Sequence, residues 1–399
     1  MSWQPKRLDQ LGSVSRGRSR HRPRDAAHLY GGPHPFIQTG DVKHAGLYIR
    51  EYVQTYSDAG LEQSKLWPAG TLCITIAANI ADTSILGIDA CFPDSVIGFT
   101  PDPHEADARF VKYLFDATIK RHARQFSQGA TQDNLSQEKL LSLDFEVPNV
   151  GEQVRIAEIL SSYDDLIENN RRRMALLEES ARLLYREWFV RLRFPGHAHT
   201  RIADGVPHGW ERRSLADVTI FLKRGITPTY DEDAEGIVIN QKCVRDGRVN
   251  IELARHQSKD VVVERLLKCG DVLVNSTGEG TLGRVAQLKT QLLNCTVDTH
   301  VTIVRPREDV FPHYFGLAVM EWEPRFSTMG KGATNQTELS PATIGATQIT
   351  MPHHSVARQF ELVVDAMYEQ VTNLVTQNQK LRTARDLLLP RLMSGELAV

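Results

Sequence analysis

Two long stretches of this sequence place apolar residues at alternating steps of four and three, the heptad spacing of paired helices. Each stretch begins after a proline, Pro148 in the first and Pro352 in the second. The seam positions are Ile156, Leu160, Tyr163, Ile167, Asn170, Met174, Leu177 and Leu184 in the first stretch, and Phe360, Val364, Met367, Val371, Leu374, Asn378, Leu381 and Leu388 in the second. An apolar seam this narrow needs a partner helix, so the sequence predicts that the two stretches pack on each other as a coiled coil.

Each seam contains one asparagine, Asn170 or Asn378. A polar residue at such a position fixes the register of a coiled coil at some cost in stability. The alternative is two unconnected amphipathic helices, each lying on its own domain, but the continuity of both seams over about ten positions favours the coiled coil. At a rise of about 1.5 Å per residue, about forty residues span on the order of 60 Å, so each helix also fits a spacer.

The segments that precede the two helices resemble each other, which indicates an internal repeat. Gly-Ala-Thr occurs at 129–131 and 332–334, Leu-Ser follows at 135–136 and 339–340, and short apolar runs at 66–74 and 266–274 correspond. Short apolar runs separated by turn residues are typical of strands. The sequence therefore predicts an α+β protein with a first globular domain at 1–149, a first spacer helix at 150–193, a linker at 194–209, a second globular domain at 210–352 and a second spacer helix at 353–399.

The composition is that of an ordinary globular protein. Of 399 residues, 41% are apolar and 24% charged, and the formal net charge is −2. No run approaches the roughly 18 to 20 apolar residues of a membrane helix, and the N-terminus lacks the apolar block of a signal peptide. The five cysteines are far apart and form no Cys-x-x-Cys pair. We therefore expect a cytoplasmic protein with reduced thiols and no membrane contact.

Local charge clusters matter more than net charge if this chain binds a polyanion. Residues 16–24 contain five arginines, and Lys223-Arg224-Gly-Ile-Thr stands at the corresponding place in the second half. Arginine binds phosphate or guanine through its forked guanidinium, and side-chain amides pair with adenine. The candidate DNA contacts are Arg16, Arg18, Arg20, Arg22, Arg24, Gln38, Thr39, Gln132, Lys223, Arg224, Thr227, Asn240, Gln241, Lys242, Lys331 and Asn335. A solvated basic loop remains an alternative for the arginines, and a polar turn remains one for the amides.

Other site patterns are weak. The stretch 278–283 matches the glycine spacing of a dinucleotide-binding turn, but the segment after it alternates like a strand and opens no helix. His197 and His199 have no third ligand nearby, so we predict no metal site. The sequence lacks a phosphate-binding loop, a nucleophile elbow and the Asn/Asp-Pro-Pro-Phe/Tyr segment of amino-methylating enzymes. We predict no catalytic residue and no cofactor bound by this chain.

Several segments, taken in order, resemble the specificity subunit of type I restriction-modification enzymes over essentially the whole chain. They are Val-Pro-His-Gly-Trp-Glu at 206–211, Gly-Ala-Thr-Gln with Leu-Ser, Val-Pro followed by Glu152, Gln153 and Ile156, and Leu-Leu-Leu-Pro-Arg-Leu-Met-Ser-Gly-Glu-Leu at 387–397. The second copy departs from the first. It reads Gly-Ala-Thr-Asn, and its helix begins with 355–359, where Gln359 follows arginine instead of glutamate. This leaves the symmetry of the two partner contacts open.

The resemblance implies two target recognition domains, each reading one half of a split double-stranded DNA target, and two helices packed antiparallel as a ruler for the gap. It also implies two methyltransferase (modification) subunits that bind S-adenosylmethionine and methylate adenine N6, and restriction/translocase subunits that use ATP and Mg. The chain itself would be a non-catalytic subunit. Two alternatives stay open: the recognition subunit of a related split-site system with a fused methyltransferase-nuclease partner, and a coiled-coil protein scaffold without DNA readout.

Overall fold

A computed structural model describes residues 3–77, 80–119, 136–330 and 337–399. The chain divides into two compact units: unit 1 comprises Met1–Arg172 and Val375–Val399, and unit 2 comprises Arg173–Leu374. Two helices are much longer than the others and run through the boundary between the units, Val150–Tyr185 and His354–Met393. Each unit therefore contains a globular region and part of each long helix, and the predicted α+β class is confirmed.

Unit 1 is built from short strands and helices that precede the first long helix. Its strands are β1 (Gln4–Arg7), β2 (Gly12–Arg16), β3 (Tyr30–Phe36), β4 (Tyr48–Ile49), β5 (Gln54–Tyr56), β6 (Leu72–Thr75), β7 (Thr83–Leu86), β8 (Val96–Pro101) and β9 (Asp144–Val147). Its helices are α1 (Leu8–Leu11), α2 (Thr39–His44), α3 (Asp58–Glu62), α4 (Ala108–Ala117), α5 (Gln137–Leu141) and α6, the first long helix, with one 3-10 turn at Ala27–Leu29.

The main sheet of unit 1 has the strand order β2-β8-β6-β7-β4, antiparallel except where β4 meets β7. Strand β6 is buried on both faces because its side chains alternate between two apolar clusters. Leu72 and Ile74 lie in the cluster that also contains Phe110 of α4, whereas Cys73 lies in the cluster of Trp67. Two further pairs, β1 with β9 and β3 with β5, form separate two-stranded sheets. The core of unit 1 therefore forms on both sides of one main sheet.

Unit 2 contains the remaining strands and helices. Its strands are β10 (Ile202–Ala203), β11 (Val206–Pro207), β12 (Glu211–Ser214), β13 (Thr219–Arg224), β14 (Gly236–Ile239), β15 (Val244–Arg245), β16 (Arg248–Val249), β17 (Arg255–Gln257), β18 (Val272–Asn275), β19 (Val285–Gln287), β20 (Cys295–Val297), β21 (Val301–Pro306) and β22 (Gln348–Met351). Its helices are α7 (Pro312–Met320), α8 (Glu323–Phe326), α9 (Pro341–Gly345) and α10, the second long helix. Short 3-10 turns lie at His197–His199, Leu215–Val218, Gln241–Cys243, Ile251–Leu253 and Val263–Arg265.

The topology of unit 2 repeats that of unit 1. The sheet order β13-β21-β18-β19 corresponds to β2-β8-β6-β7, and the pairs β12 with β22 and β14 with β17 correspond to β1 with β9 and β3 with β5. The helices repeat as well, because α7 and α9 follow the sheet strands in the same order as α4 and α5. The internal repeat predicted from the sequence is confirmed.

The two long helices run antiparallel within unit 1. Ile156 and Leu160 of α6 share an apolar cluster with Leu388 and Leu392 of α10, so the start of one helix lies against the end of the other. Further along, Asn170 Nδ2 donates to Asn378 Oδ1 at 2.9 Å, and Asn378 Nδ2 donates to the Ile167 carbonyl at 3.3 Å. The two asparagines of the predicted seams therefore face each other, which gives the helices one register.

The helices are also antiparallel within unit 2, where aromatic residues dominate the contact. The Phe360 ring lies 5.8 Å from Trp188 and 4.9 Å from Phe189, centroid to centroid, while Met174 packs in the same cluster as Val371. Every seam position predicted from the sequence is buried or half-buried. The burial follows the heptad spacing along both helices.

The helix boundaries differ slightly from the predicted ones. The first long helix continues as one π-helical turn, Arg186–Val190, and stops before residue 193, where Leu192 has a positive φ of 58°. The second ends at Met393, and Gly395 then has a φ of 72°. The β10–β11 hairpin lies inside the predicted linker. No helix in the described ranges has the length and apolarity to cross a membrane.

A glutamine ties the globular region of unit 1 to the first long helix. Gln153 Oε1 accepts from the backbone N–H of Asp107, the N-cap of α4, at 3.2 Å. Its Nε2 donates to the carbonyls of Glu105 and Pro148 at 3.0 and 2.9 Å. Further along both helices, Tyr113 of α4 donates to Asp164 at 2.5 Å. The start of α4 and the start of the long helix are thus fastened together by a neutral amide.

Unit 2 makes the same attachment with a carboxylate. Glu361 accepts from the backbone N–H groups of His313 and Tyr314 at the start of α7, at 2.9 and 3.1 Å. The position that corresponds to Gln153, three residues before the first seam residue, is Ala357, and Gln359 is exposed. The glutamine noted in the second helix start is therefore not the counterpart of Gln153, since Glu361 makes this contact instead.

Candidate nucleic-acid interface

The predicted cationic loops of the two units begin at equivalent places. Strand β2 ends at Arg16 and strand β13 at Arg224, and a glycine follows each. Gly17 N donates to the Val96 carbonyl at 2.8 Å, and Gly225 N donates to the Val301 carbonyl at 3.1 Å. A Cβ on Gly225 would lie 1.8 Å from the Val297 carbonyl oxygen, and one on Gly17 would lie 2.3 Å from a backbone oxygen of the opposite segment. Glycine is thus required after each of these arginines, because each loop passes close beside its sheet.

Backbone contacts hold the arginine loop of unit 1, residues 16–24, in one conformation. The N–H groups of Arg20 and His21 both donate to Gln63 Oε1, at 2.6 and 3.0 Å. Ser64 Oγ donates to the Arg18 carbonyl at 2.8 Å. The backbone of Arg18 also donates to the Phe92 carbonyl at 3.0 Å. These contacts favour an ordered loop over the freely solvated one that the sequence left open.

The five arginines of this loop divide into two groups. All five are exposed. Arg24 pairs with Asp94 at 2.8 Å, Arg16 Nε donates to the Asp94 carbonyl at 3.1 Å, and Arg22 donates to carbonyls within its own loop. Within the described part of the chain, the guanidinium groups of Arg18 and Arg20 make no hydrogen bond or ion pair. These two side chains are available to phosphate groups, whereas the other three hold the loop.

The cationic loop of unit 2 is arranged in a similar way. Arg224 pairs with Glu338 at 2.7 Å and donates to the Leu339 carbonyl at 3.3 Å, so its guanidinium is engaged within the unit. Lys223 is exposed, with its ammonium 5.8 Å from the centre of the Phe221 ring. The side chain of Thr227 is exposed as well. The available side chains here are therefore Lys223, at the end of β13, and Thr227, in the loop that follows.

Two of the amides predicted to read bases, Gln38 and Asn240, occupy helix N-cap positions in the structure. Gln38 is the N-cap of α2, and its Nε2 donates to Gln54 Oε1 at 2.5 Å. Asn240 caps the turn at Gln241–Cys243, since its Oδ1 accepts from the Lys242 N–H at 2.9 Å. These contacts match the polar-turn alternative for both amides. Thr39 is half-buried in the first turn of α2, as is Gln241 at the matching place in unit 2, and Lys242, the next residue, is exposed.

Backbone hydrogen bonds bring several loops of unit 2 to one end of its sheet. Asn275 Nδ2 donates to the Gln241 carbonyl at 2.9 Å, and the Ser276 N–H donates to the His300 carbonyl at 2.8 Å. Leu339 N donates to the Ser276 carbonyl at 2.9 Å, and the Leu339 carbonyl accepts from Arg224. The candidates Arg224, Asn240, Gln241 and Lys242 are thus gathered at this end. We call this group of loops the loop face of unit 2.

The glycine-rich stretch 278–283 lies on this loop face and does not open a helix. Gly278, Gly280 and Gly283 have φ values of 108°, 68° and 79°, a conformation that glycine adopts easily. Strand β19 follows and pairs antiparallel with β18, so the stretch is the turn of a hairpin. A dinucleotide-binding turn would lead into a helix. The sequence-based argument against nucleotide binding therefore agrees with the local structure.

One carboxyl group on the loop face of unit 2 has a shifted acidity. Burial raises the pKa of Asp298, while the hydrogen bond from the His300 N–H, at 2.9 Å, opposes the shift.

No group of three or more His, Cys, Asp and Glu within the described ranges is placed to hold a metal ion. Three candidates, Gln132, Lys331 and Asn335, lie outside the described residues.

Two residues that organise the arginine loop are absent from the sequence-based predictions. Gln63 fixes the backbone at Arg20 and His21, and Asp94 binds two of the five arginines. Gln63 lies 43 positions from Arg20, and Asp94 lies 70 positions from Arg24 and 78 from Arg16. The one local signal is charge, since Asp94 is an acidic residue set between two apolar segments. Contacts this distant in sequence need the folded sheet to become visible.

Comparisons with known proteins give one consistent result. Residues 1–179 match the family model of the type I restriction modification DNA specificity domain. The chain is 23% identical to the type I restriction enzyme MjaIX specificity subunit of Methanocaldococcus jannaschii, with 100% of this chain and 94% of that protein covered. It is 22% identical to the type I restriction enzyme HindI specificity subunit of Haemophilus influenzae, with 91% and 94% covered.

Solved structures agree at the level of the fold. The S subunit of a type I restriction-modification system from M. genitalium has a TM-score of 0.57 at 16% identity, with 98% of this chain and 96% of that chain covered. At this identity the likeness concerns the arrangement of helices and strands alone. The repeated topology and the paired long helices of this chain therefore agree with the fold of that S subunit, and the sequence matches point to the same group of proteins. Residues 1–179 of this chain match the type I restriction modification DNA specificity domain, and over its whole length the chain is similar to specificity subunits of type I restriction enzymes.

Proposed function

We propose that this chain is the non-catalytic DNA-reading subunit of a type I restriction-modification complex, in which each unit reads one half of a split double-stranded target. The most direct support is that a basic segment occurs at the equivalent place in each of the two similar units. Each unit has a basic segment around an Arg-Gly pair at the end of the equivalent strand of its own sheet, with Arg18 and Arg20 available after the pair in unit 1 and Lys223 available before it in unit 2. A duplicated reader suits a ligand that offers two sites.

The partners in this proposal are two methyltransferase subunits and the restriction/translocase subunits. S-adenosylmethionine, ATP and Mg would be bound by those partners, and this chain would direct adenine N6 methylation to both half-sites. The paired long helices are proposed to set the gap between the half-sites. The similarity to subunits of type I restriction enzymes supports the assembly, while the number of each partner rests on the family resemblance.

The test is to express the chain with its modification subunits and map the methylated adenines in a DNA library of random sequence. We expect one bipartite consensus with a fixed gap. Replacing Arg18 and Arg20 with alanine should weaken binding to all sequences together, because phosphate contacts carry affinity more than specificity. Methylation without a consensus would contradict the proposal. Assembly of partners without any DNA preference would instead favour the protein scaffold, and a single large partner that also cuts would favour the related split-site system.

A further inference from the structure

One loop in each unit exposes apolar side chains at the sheet edge. In unit 1, Tyr52 and Val53 lie between β4 and β5 and are 42% and 89% exposed. In unit 2, Ile251 and Leu253 lie between β16 and β17 and are 40% and 49% exposed. We call these the apolar loops. Single exposed apolar residues are common on protein surfaces, so the question is whether these two loops share a role.

The apolar loops occupy equivalent positions in the repeated fold. Strand β5, which follows the first loop, pairs antiparallel with β3, and β17, which follows the second, pairs antiparallel with β14. The amide at the N-cap position binds the first residue of the following strand in unit 1 and the loop itself in unit 2. Gln38 Nε2 donates to Gln54 Oε1 at 2.5 Å, and Asn240 Nδ2 donates to the Leu253 carbonyl at 3.3 Å. An amide at the equivalent position therefore contacts this segment in both units, through a side chain in unit 1 and through a backbone carbonyl in unit 2.

Each apolar loop lies in a row of segments that ends at the cationic loop. In unit 1, Ile37 N donates to the Cys91 carbonyl at 2.8 Å and Arg18 N donates to the Phe92 carbonyl at 3.0 Å. These bonds place the capping turn and the arginine loop on two sides of one segment. In unit 2, the Asp298 N–H donates to the Ile239 carbonyl and the Ile226 N–H to the Val297 carbonyl, both at 2.9 Å. The order is apolar loop, capping amide, connecting segment and cationic loop in both units.

The chemistry of the apolar loops separates them from the cationic ones. An exposed glutamate, Glu51 or Glu252, lies next to the apolar residues in each loop, and a carboxylate repels phosphate. Base edges in the major groove are a better match, because thymine presents a methyl group and cytosine presents an amino group that a carboxylate accepts from. A ligand that both units bind in the same way explains why the exposed apolar surface is duplicated.

We propose that the apolar loops contact base edges of the target, Tyr52 and Val53 in one half-site and Ile251 and Leu253 in the other, while the cationic loops hold the phosphates. This inference rests on the proposed function, since it assigns a part of the DNA contact to residues outside the basic clusters. The four apolar residues would then determine which DNA sequence is bound. Their removal should lower the affinity for the target relative to unrelated DNA, and the salt dependence of binding should not change.

The experiment uses the complex of the full chain with its modification subunits. Val53→Ser and Leu253→Ser are compared with Leu293→Ser, whose side chain is 83% exposed in the turn that precedes β20, at the end of that strand opposite the loop face. We expect each of the first two variants to weaken binding to the mapped target about tenfold, the effect of one apolar side chain no longer buried against a base. Binding to unrelated DNA and the salt dependence of binding should stay unchanged.

Each outcome has a distinct meaning. Target binding by Val53→Ser and Leu253→Ser at the strength of the wild type would overturn the inference. Loss of modification subunits from either variant would show that the apolar loops bind a protein partner, which also overturns it. If the wild-type complex fails to distinguish the target from unrelated DNA, the proposed function fails as well. Thermal unfolding of the three variants should match the wild type, because all three side chains are exposed.

Discussion

The asparagine pair in unit 1 gives a quantitative test of how the two long helices recognise each other. Asn170 and Asn378 are 6% and 3% exposed, and their amides bond to each other at 2.9 Å. Replacing Asn378 with leucine leaves the amide of Asn170 buried without this partner, and a buried unsatisfied polar group costs about 1 to 3 kcal/mol. Replacing Asn170 with leucine should cost less, because Asn378 keeps its bond to the Ile167 carbonyl.

The double replacement should be close to neutral, since it exchanges both partners for apolar groups that suit a coiled-coil seam. The two single changes therefore should not add, and the coupling free energy should be about 2 kcal/mol in favour of the double variant. The assay is urea denaturation of the full chain, followed by the helical circular dichroism signal for the wild type, both single variants and the double variant. Gln379→Leu is the matched control, because Gln379 is exposed beside Asn378 on the same helix.

Additive effects of the two single changes would refute this reasoning, since independent sites add and coupled ones do not. A double variant as unstable as Asn378→Leu would also refute it. In that case the hydrogen bond between the helices would contribute less than the packing of the asparagines themselves.

Two further predictions concern charge. Replacing Arg18 and Arg20 with alanine should lower the slope of log K against log salt for DNA binding by about 0.9 for each phosphate that is no longer neutralised, whereas Arg24→Ala should reduce affinity with little change in slope, because Arg24 pairs with Asp94. Equal slopes for all these variants would contradict the separation of the loop's arginines into available and paired side chains. Burial lowers the pKa of Lys289 from 10.5 to about 8, so this lysine contributes a rise of about 3 kcal/mol to the free energy of unfolding between these values, while buried thiols with raised pKa, such as Cys73, contribute a fall above pH 9. The free energy of unfolding of the wild type minus that of Lys289→Met should therefore rise with pH across this range in urea denaturation, and a difference that stays constant would exclude this contribution of Lys289.

The long helices were predictable because their signal is local and repeated. A seam residue recurs every three or four positions, so a partner can be inferred without knowing where it lies. The presence of Asn170 and Asn378 in the seams follows from the same pattern, whereas their pairing with each other depends on the register of the two helices and is visible only in the structure. The internal repeat was visible for a related reason: short strands and turns keep their order even where few residues are shared.

The candidate interface was predictable in composition and less so in the role of each residue. Five arginines in nine residues indicate a polyanion ligand, but the sequence does not show that Asp94 and Gln63 engage parts of that loop. Gln38 and Asn240 were equally ambiguous, because an amide that reads a base and one that caps a turn look the same in a sequence. These roles depend on tertiary contacts that join positions far apart.

The division of the chain into units has a consequence for biosynthesis. Unit 2 is one continuous segment, whereas unit 1 combines Met1–Arg172 with Val375–Val399. Leu388 and Leu392 cover Ile156 and Leu160 in the finished protein, so this apolar surface stays open on the ribosome until the final residues have emerged. Unit 1 is therefore completed only after unit 2 has been synthesised. Until then, the nascent chain exposes the seam residues Ile156 and Leu160 of the first long helix without their partner helix.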